Sequence, residues 1–150
     1  MTHAPGRQAI HDVAALINRI DICVLASRAE DGELHARPMS NNGEADWDGQ
    51  SWFLAPSDGR LVAELRANPE AVTTYRAETG YTFVTISGRT TLETDPSLKR
   101  RLWLDELERW FPNGPEDPNV TLIRLDAEAA QWWTEDGDGS ADLREVAATS

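Results

Sequence analysis

Lysine and cysteine are nearly absent from this 150-residue chain, each occurring once, as Lys99 and Cys23. A single cysteine excludes an internal disulfide, and its place in the apolar run Ile20-Asp21-Ile22-Cys23-Val24-Leu25 predicts burial rather than reactivity. With arginine supplying the other basic charges, Schiff-base chemistry has one candidate, Lys99, expected at the surface. No apolar run is long enough to cross a bilayer and residues 1–6 lack the apolar core of a signal peptide, so a cytoplasmic protein without a membrane partner is expected. Basic charge is also scarce. The 26 acidic against 14 basic residues give a formal charge of −12, which repels polyanions and excludes nucleic acid as the expected partner. His3, His11 and His35 show no metal-ligand spacing, and no nucleophile elbow, P-loop or dinucleotide fingerprint is present. No metal is expected, and the pattern identifies no catalytic acid, base or nucleophile.

What is there fits one domain with a real core, at 40% hydrophobic residues. Apolar residues at helical spacing predict an amphipathic helix over 7–19. Strands are predicted over 22–26, apolar on both faces, and 34–40, with Glu30-Asp31-Gly32-Glu33 turning between them. A loop rich in Asn, Asp and Gly covers 41–49, with Trp47 isolated inside it. The strand Ser51-Trp52-Phe53-Leu54 turns at Asp58-Gly59 into a helix over 60–68 closed by Pro69. β-Branched runs over 71–76 and 81–93 read as a hairpin, with Gly88 at a bulge where the sheet bends. Asp95 and Pro96 open a helix whose Leu98, Leu102, Trp103, Leu107 and Trp110 share one face, ended by Asn113-Gly114-Pro115. A last strand over 120–125 alternates, one face toward the core and one toward solvent or an interface, and 127–133 closes the ordered part. The order implies a mainly β fold with flanking helices, an α+β barrel, over 1–134, followed by an acidic, flexible tail over 135–150.

The turn at Asp58-Gly59 is the stretch with most chemical promise, because a helix start leaves backbone N–H groups free for an anion. Six tryptophans are many for this length; Trp52 beside the turn and the Trp132-Trp133 pair are the candidates for stacking on a planar ring. Ala36-Arg37-Pro38-Met39, Ser51-Trp52-Phe53-Leu54, Leu61-Val62-Ala63-Glu64-Leu65 before Asn68-Pro69, Val84-Thr85-Ile86-Ser87-Gly88, Arg109-Trp110-Phe111-Pro112-Asn113-Gly114-Pro115 and Ala130-Gln131-Trp132-Trp133 occur in that order. Together they resemble the pyridoxamine 5'-phosphate oxidase-like split barrels, and among them the general stress protein FMN-binding group. The resemblance implies a six-stranded split β-barrel that forms a homodimer with FMN in clefts between subunits, and possible flavin-dependent oxidoreductase activity. It also implies a cofactor site of Arg37, Pro38, Met39, Trp52, Ser57 and Arg60, with Trp133 contributed across the dimer. The chain departs from the family pattern where Ala55 replaces a threonine, Gly59 a serine and Leu61 a lysine at the phosphate. Arg60 is then the residue to take over the ionic contact. The alternatives left open are a dimer that binds the deazaflavin F420, and a cofactor-free stress or interaction protein.

Overall fold

The computed structural model describes residues 2–3, 6–41 and 47–144. The middle of the predicted loop at 41–49 and the last part of the predicted tail therefore lie outside the described residues. Eight strands form one sheet in the order β1-β8-β7-β6-β5-β2-β3, with β4 paired to β7 off that path. In chain order they are β1 (Thr2–His3), β2 (Ile22–Arg28), β3 (Leu34–Ser40), β4 (Gln50–Pro56), β5 (Glu70–Arg76), β6 (Phe83–Glu93), β7 (Val120–Thr134) and β8 (Gly137–Asp142). The helices are α1 (Gly6–Ile17), α2 (Arg60–Ala67) and α3 (Pro96–Leu102), with a 3-10 turn at Asp105–Arg109. Every strand pair is antiparallel except β1 with β8.

The core forms where two helices meet the inner face of the bent sheet. Ala9, Val13, Ala14 and Ile17 of α1 and Leu61, Val62 and Leu65 of α2 pack against Leu25, Phe53, Ile86, Ile123 and Leu125. The bend comes from the β6–β7 ladder, whose register shifts between Ser87 and Gly88. Glycine is required there: a Cβ at 88 would overlap the Asp126 carbonyl oxygen and stand 2.9 Å from its carbonyl carbon.

One strand, β7, organises the rest. Along one side it pairs with β6 over nearly its whole length; along the other its first half pairs with β4 and its second with β8. At its start both faces are buried, Val120 and Leu122 on one and Thr121, Ile123 and Leu125 on the other, and the face expected toward solvent or an interface opens only at the half-buried Arg124 and Asp126. The opposite correction applies to β2. Only Cys23, Leu25 and Ser27 face the core, while Ile22 and Val24 are 57% and 43% exposed, because no helix covers that side. The third predicted helix ends early, at Leu102; Leu107 is buried in the 3-10 turn and Trp110 is 70% exposed instead of sharing its face. Residues 137–143 are not a frayed tail. Gly137–Asp142 pairs with β7, Ala141 and Leu143 are buried, and Trp132 lies so closely over Gly139 that no side chain fits there.

Cys23 is buried, and burial pushes its thiol up to about 12. The folded protein is therefore expected to resist alkylation by iodoacetamide at pH 8 and to react fully once urea is added. Mass spectrometry of the two samples checks this, and equal labelling in both would contradict the burial.

Candidate functional site

Two polar constellations flank α2. The first joins its second turn to the β2–β3 hairpin. Antiparallel register places His35 opposite Ser27 and Arg37 opposite Leu25, and alternation turns both β3 side chains toward α2. Glu64 meets them there, only 5% exposed. Its carboxylate accepts from Ser27 Oγ at 2.8 Å, His35 Nδ1 at 2.7 Å and Arg37 Nη2 at 2.9 Å. A carboxylate cannot donate, so His35 donates through Nδ1–H. Arg37 also donates to Ser27 Oγ at 2.7 Å and to the Leu25 carbonyl. Burial by itself would raise the Glu64 carboxyl; the hydrogen bonds from His35, Ser27 and Arg37 and the Arg37 charge outweigh it and hold the carboxyl below its ordinary value.

The second constellation is the turn from β4 into α2. Gly59 occupies the N-cap position without a side chain to cap the helix, and its N–H donates to the Pro56 carbonyl at 3.0 Å. Among the described residues no acceptor meets the N–H groups of Arg60, Leu61 and Val62, and no acidic side chain sits in the first turn. Arg60 is exposed and forms no ion pair among the described residues. Ser57 is held from the opposite side by the chain leading into β7. Its N–H donates to the Asn119 carbonyl at 2.8 Å, its hydroxyl to the Pro118 carbonyl at 3.0 Å, and Thr121 Oγ1 lies 2.7 Å from that hydroxyl.

The residues singled out in the sequence therefore divide. Arg37 and Met39 face α2 and the core, whereas Pro38, between them, is exposed on the other face of β3. Ser57 and Arg60 share the β4–α2 turn. Trp52 is half-buried on the side of β4 away from the core, opposite Arg124. Trp133 faces away from the core near the end of β7, opposite Phe83 and Asp138, while Trp132 packs inward. Ala55 and Leu61 are both buried in the core. Sequence reasoning missed Ser27, His35 and Glu64, the last lying 27 to 37 residues from the three groups it accepts from. It also misplaced Lys99, which is 2% exposed and donates to the Asp117 and Val120 carbonyls, both at 3.0 Å.

The outer face of the sheet carries a further feature. Register aligns Pro38, Val24, Thr74, Thr85, Gln131 and Ser140 in one row across six strands, and Ala36, Ala26, Val72, Ser87, Ala129 and Asp142 in the next. Its β2–β3–β5 end is apolar apart from Thr74. Its β6–β7–β8 end forms an open groove of about 490 Å³ whose polar lining includes Thr85, Ser87, Gln131 and Ser140.

An antiparallel sheet bent at a bulge around two helices, with one long strand serving two partners along the same edge, defines a mainly β protein with flanking helices. The chain belongs to the pyridoxamine 5'-phosphate oxidase-like family, which matches residues 8–148. General stress protein 26 of Bacillus subtilis is 33% identical over 49 residues, a match spanning about a third of each chain, 33% of this one and 34% of the relative. A protein related to general stress protein 26 from Clostridium acetobutylicum superposes with a TM-score of 0.78 at 18% identity, covering 93% of this chain and 98% of that one. The general stress FMN/FAD binding protein of Xanthomonas citri is 32% identical, with a TM-score of 0.67, covering 86% and 87%.

Proposed function

We propose that this chain is a cytoplasmic FMN-binding split-barrel protein of the general stress type, with β2 to β7 as the barrel strands and oxidoreductase activity supplied by the flavin. The observation that carries the reading is the β4–α2 turn: three unpaired N–H groups and the exposed Arg60 lie where the family pattern places the phosphate. Buried Ala55 and Leu61 offer a phosphate nothing polar, and a side chain on Gly59 would crowd the Pro56 carbonyl at 3.2 Å. Backbone donors plus one guanidinium still fit a phosphate, and the FMN/FAD binding by the Xanthomonas citri protein supports a flavin over F420 or no cofactor.

In this reading Arg60 and the α2 N–H groups hold the phosphate, and Arg37, Pro38, Met39 and Trp52 belong to the walls around the rest of the molecule, with Trp133 supplied by a second subunit. Arg37 is bound to Glu64, so it contributes shape and a fixed donor array rather than a free charge. The second subunit covers the apolar end of the outer face, where Ile22, Val24 and Val72 (38% exposed) stand beside Pro38.

Bound FMN would supply the redox chemistry, and the protein position and electrostatics. Titrating purified protein with FMN and riboflavin tests this. Arg60→Ala is expected to weaken FMN about 10- to 100-fold, the worth of one charge-assisted phosphate contact, and to leave riboflavin unchanged. Unchanged FMN affinity would show that the phosphate is held elsewhere. Sedimentation of the same samples is expected to give twice the 16.6 kDa chain mass, and a monomer would overturn the dimer.

A further inference from the structure

Lysine is the residue least expected in a protein interior without a counter-charge, because its ammonium is strongly hydrated and costly to bury. Lys99 is nevertheless inside, and its hydrogen-bond acceptors are two main-chain carbonyls, Asp117 and Val120. These belong to the short stretch that enters β7. The two carbonyls between them, Pro118 and Asn119, are the ones that accept from Ser57. Four consecutive carbonyls are thus divided in pairs, the outer two held by Lys99 and the inner two by Ser57. Asn119 extends the second set, since its Oδ1 accepts from the Asp58 N–H at 3.3 Å. Asp117 stabilises the stretch from within: its carboxylate accepts from the Asn119 N–H at 2.9 Å and its carbonyl from the Val120 N–H at 3.1 Å.

Ser57 and Asp58 immediately precede Gly59 and Arg60. We propose that Lys99 is a positioning residue for the start of α2, acting through residues 117–120 to fix the turn that presents the Arg60 guanidinium and the α2 N–H groups. The inference rests on the phosphate reading above and deepens it. The ligand end that Lys99 controls is the phosphate monoester of a flavin nucleotide, and Lys99 never touches it. The arrangement also reassigns Ser57. Its hydroxyl proton goes to the Pro118 carbonyl, and Thr121 donates to its oxygen, so its contribution is to hold the turn.

The test compares FMN with riboflavin, which differ only in the phosphate, by fluorescence titration of the wild type, Lys99→Met and Asn119→Ala. Asn119 is exposed, so its variant folds even if the loss of Lys99 is not tolerated. Both variants are expected to lower FMN affinity about tenfold and riboflavin affinity less than about twofold. A purely structural role for Lys99 would lower both affinities together, so equal losses overturn the inference, as does an FMN-to-riboflavin ratio unchanged in Asn119→Ala. Wild-type protein that binds FMN beside variants that keep the ratio overturns the role of Lys99 alone. Wild-type protein that binds neither flavin overturns the inference together with the reading it rests on.

Discussion

Glu64→Ala is expected to destabilise the protein by about 3–5 kcal/mol, the cost of removing one partner from a buried ion pair and leaving the Arg37 charge without it. The carboxylate of Glu64 is the common acceptor for Ser27, His35 and Arg37, and it links α2 to β2 and β3. Glu64→Gln retains shape and one acceptor, and its expected cost is smaller, about 1–3 kcal/mol. The pH dependence follows from the direction of the Glu64 shift. A carboxyl held below its ordinary value in the folded state stabilises the protein fully above the unfolded glutamate value, roughly 4.3, and that contribution is lost as pH falls through the lower folded value. Urea midpoints for wild type and Glu64→Gln are therefore expected to differ most above about pH 5 and to converge on acidification below the ordinary glutamate value. A gap that stays constant from pH 6 to pH 3 would mean that the ionised carboxylate is not what the cluster stabilises.

Gly88→Ala is expected to cost about 3 kcal/mol or more, because its methyl group meets main chain and not a side chain that could swing aside. In a chain of this size that corresponds to a melting point lowered by roughly 6–12 °C. The carbonyl in the way belongs to Asp126, at the point where β7 leaves β4 as its neighbour and approaches β8. An alanine tolerated with a shift under about 2 °C would show that the bulge can relax, contrary to the packing seen there.

Much of the architecture was legible because helices show in their spacing and strands in β-branched runs bounded by turn residues. The turn before 34–40, the β-branched run over 71–76, the helical spacing in α1 and the glycine inside 81–93 all found their elements and the bulge. Burial was less legible, since it depends on which faces find a cover. The β2 run looks apolar on both sides, yet one side meets no helix; the start of β7 alternates as a surface strand would, yet both sides are covered. β8 escaped notice because Gly137, Asp138, Gly139 and Ser140 have little intrinsic strand preference and take up the extended form through pairing with β7.

The site was legible in outline only. The turn at Gly59 and the exposed Arg60 can be read directly, being local. Arg37 reads as a cofactor-site residue, and nothing near it in the chain signals that Glu64 will take its charge. Lys99 reads as a surface lysine because its acceptors are carbonyls 18 and 21 residues away, and backbone carbonyls have no sequence signature. Long-range polar partners of this kind are set by topology, which the local pattern does not encode.

The shared edge of β7 bears finally on solubility. A half-length of strand that carried Trp132 and Trp133 with its N–H and C=O groups bare would be a template for other chains, the usual starting point for edge-to-edge association. The six polar and small residues Gly137–Asp142 lie along that edge, and Gly139 and Ser140 pair in turn with β1. What composition alone would class as a dispensable appendage thus acts as the chain's own gatekeeper, closing the most adhesive part of its longest strand.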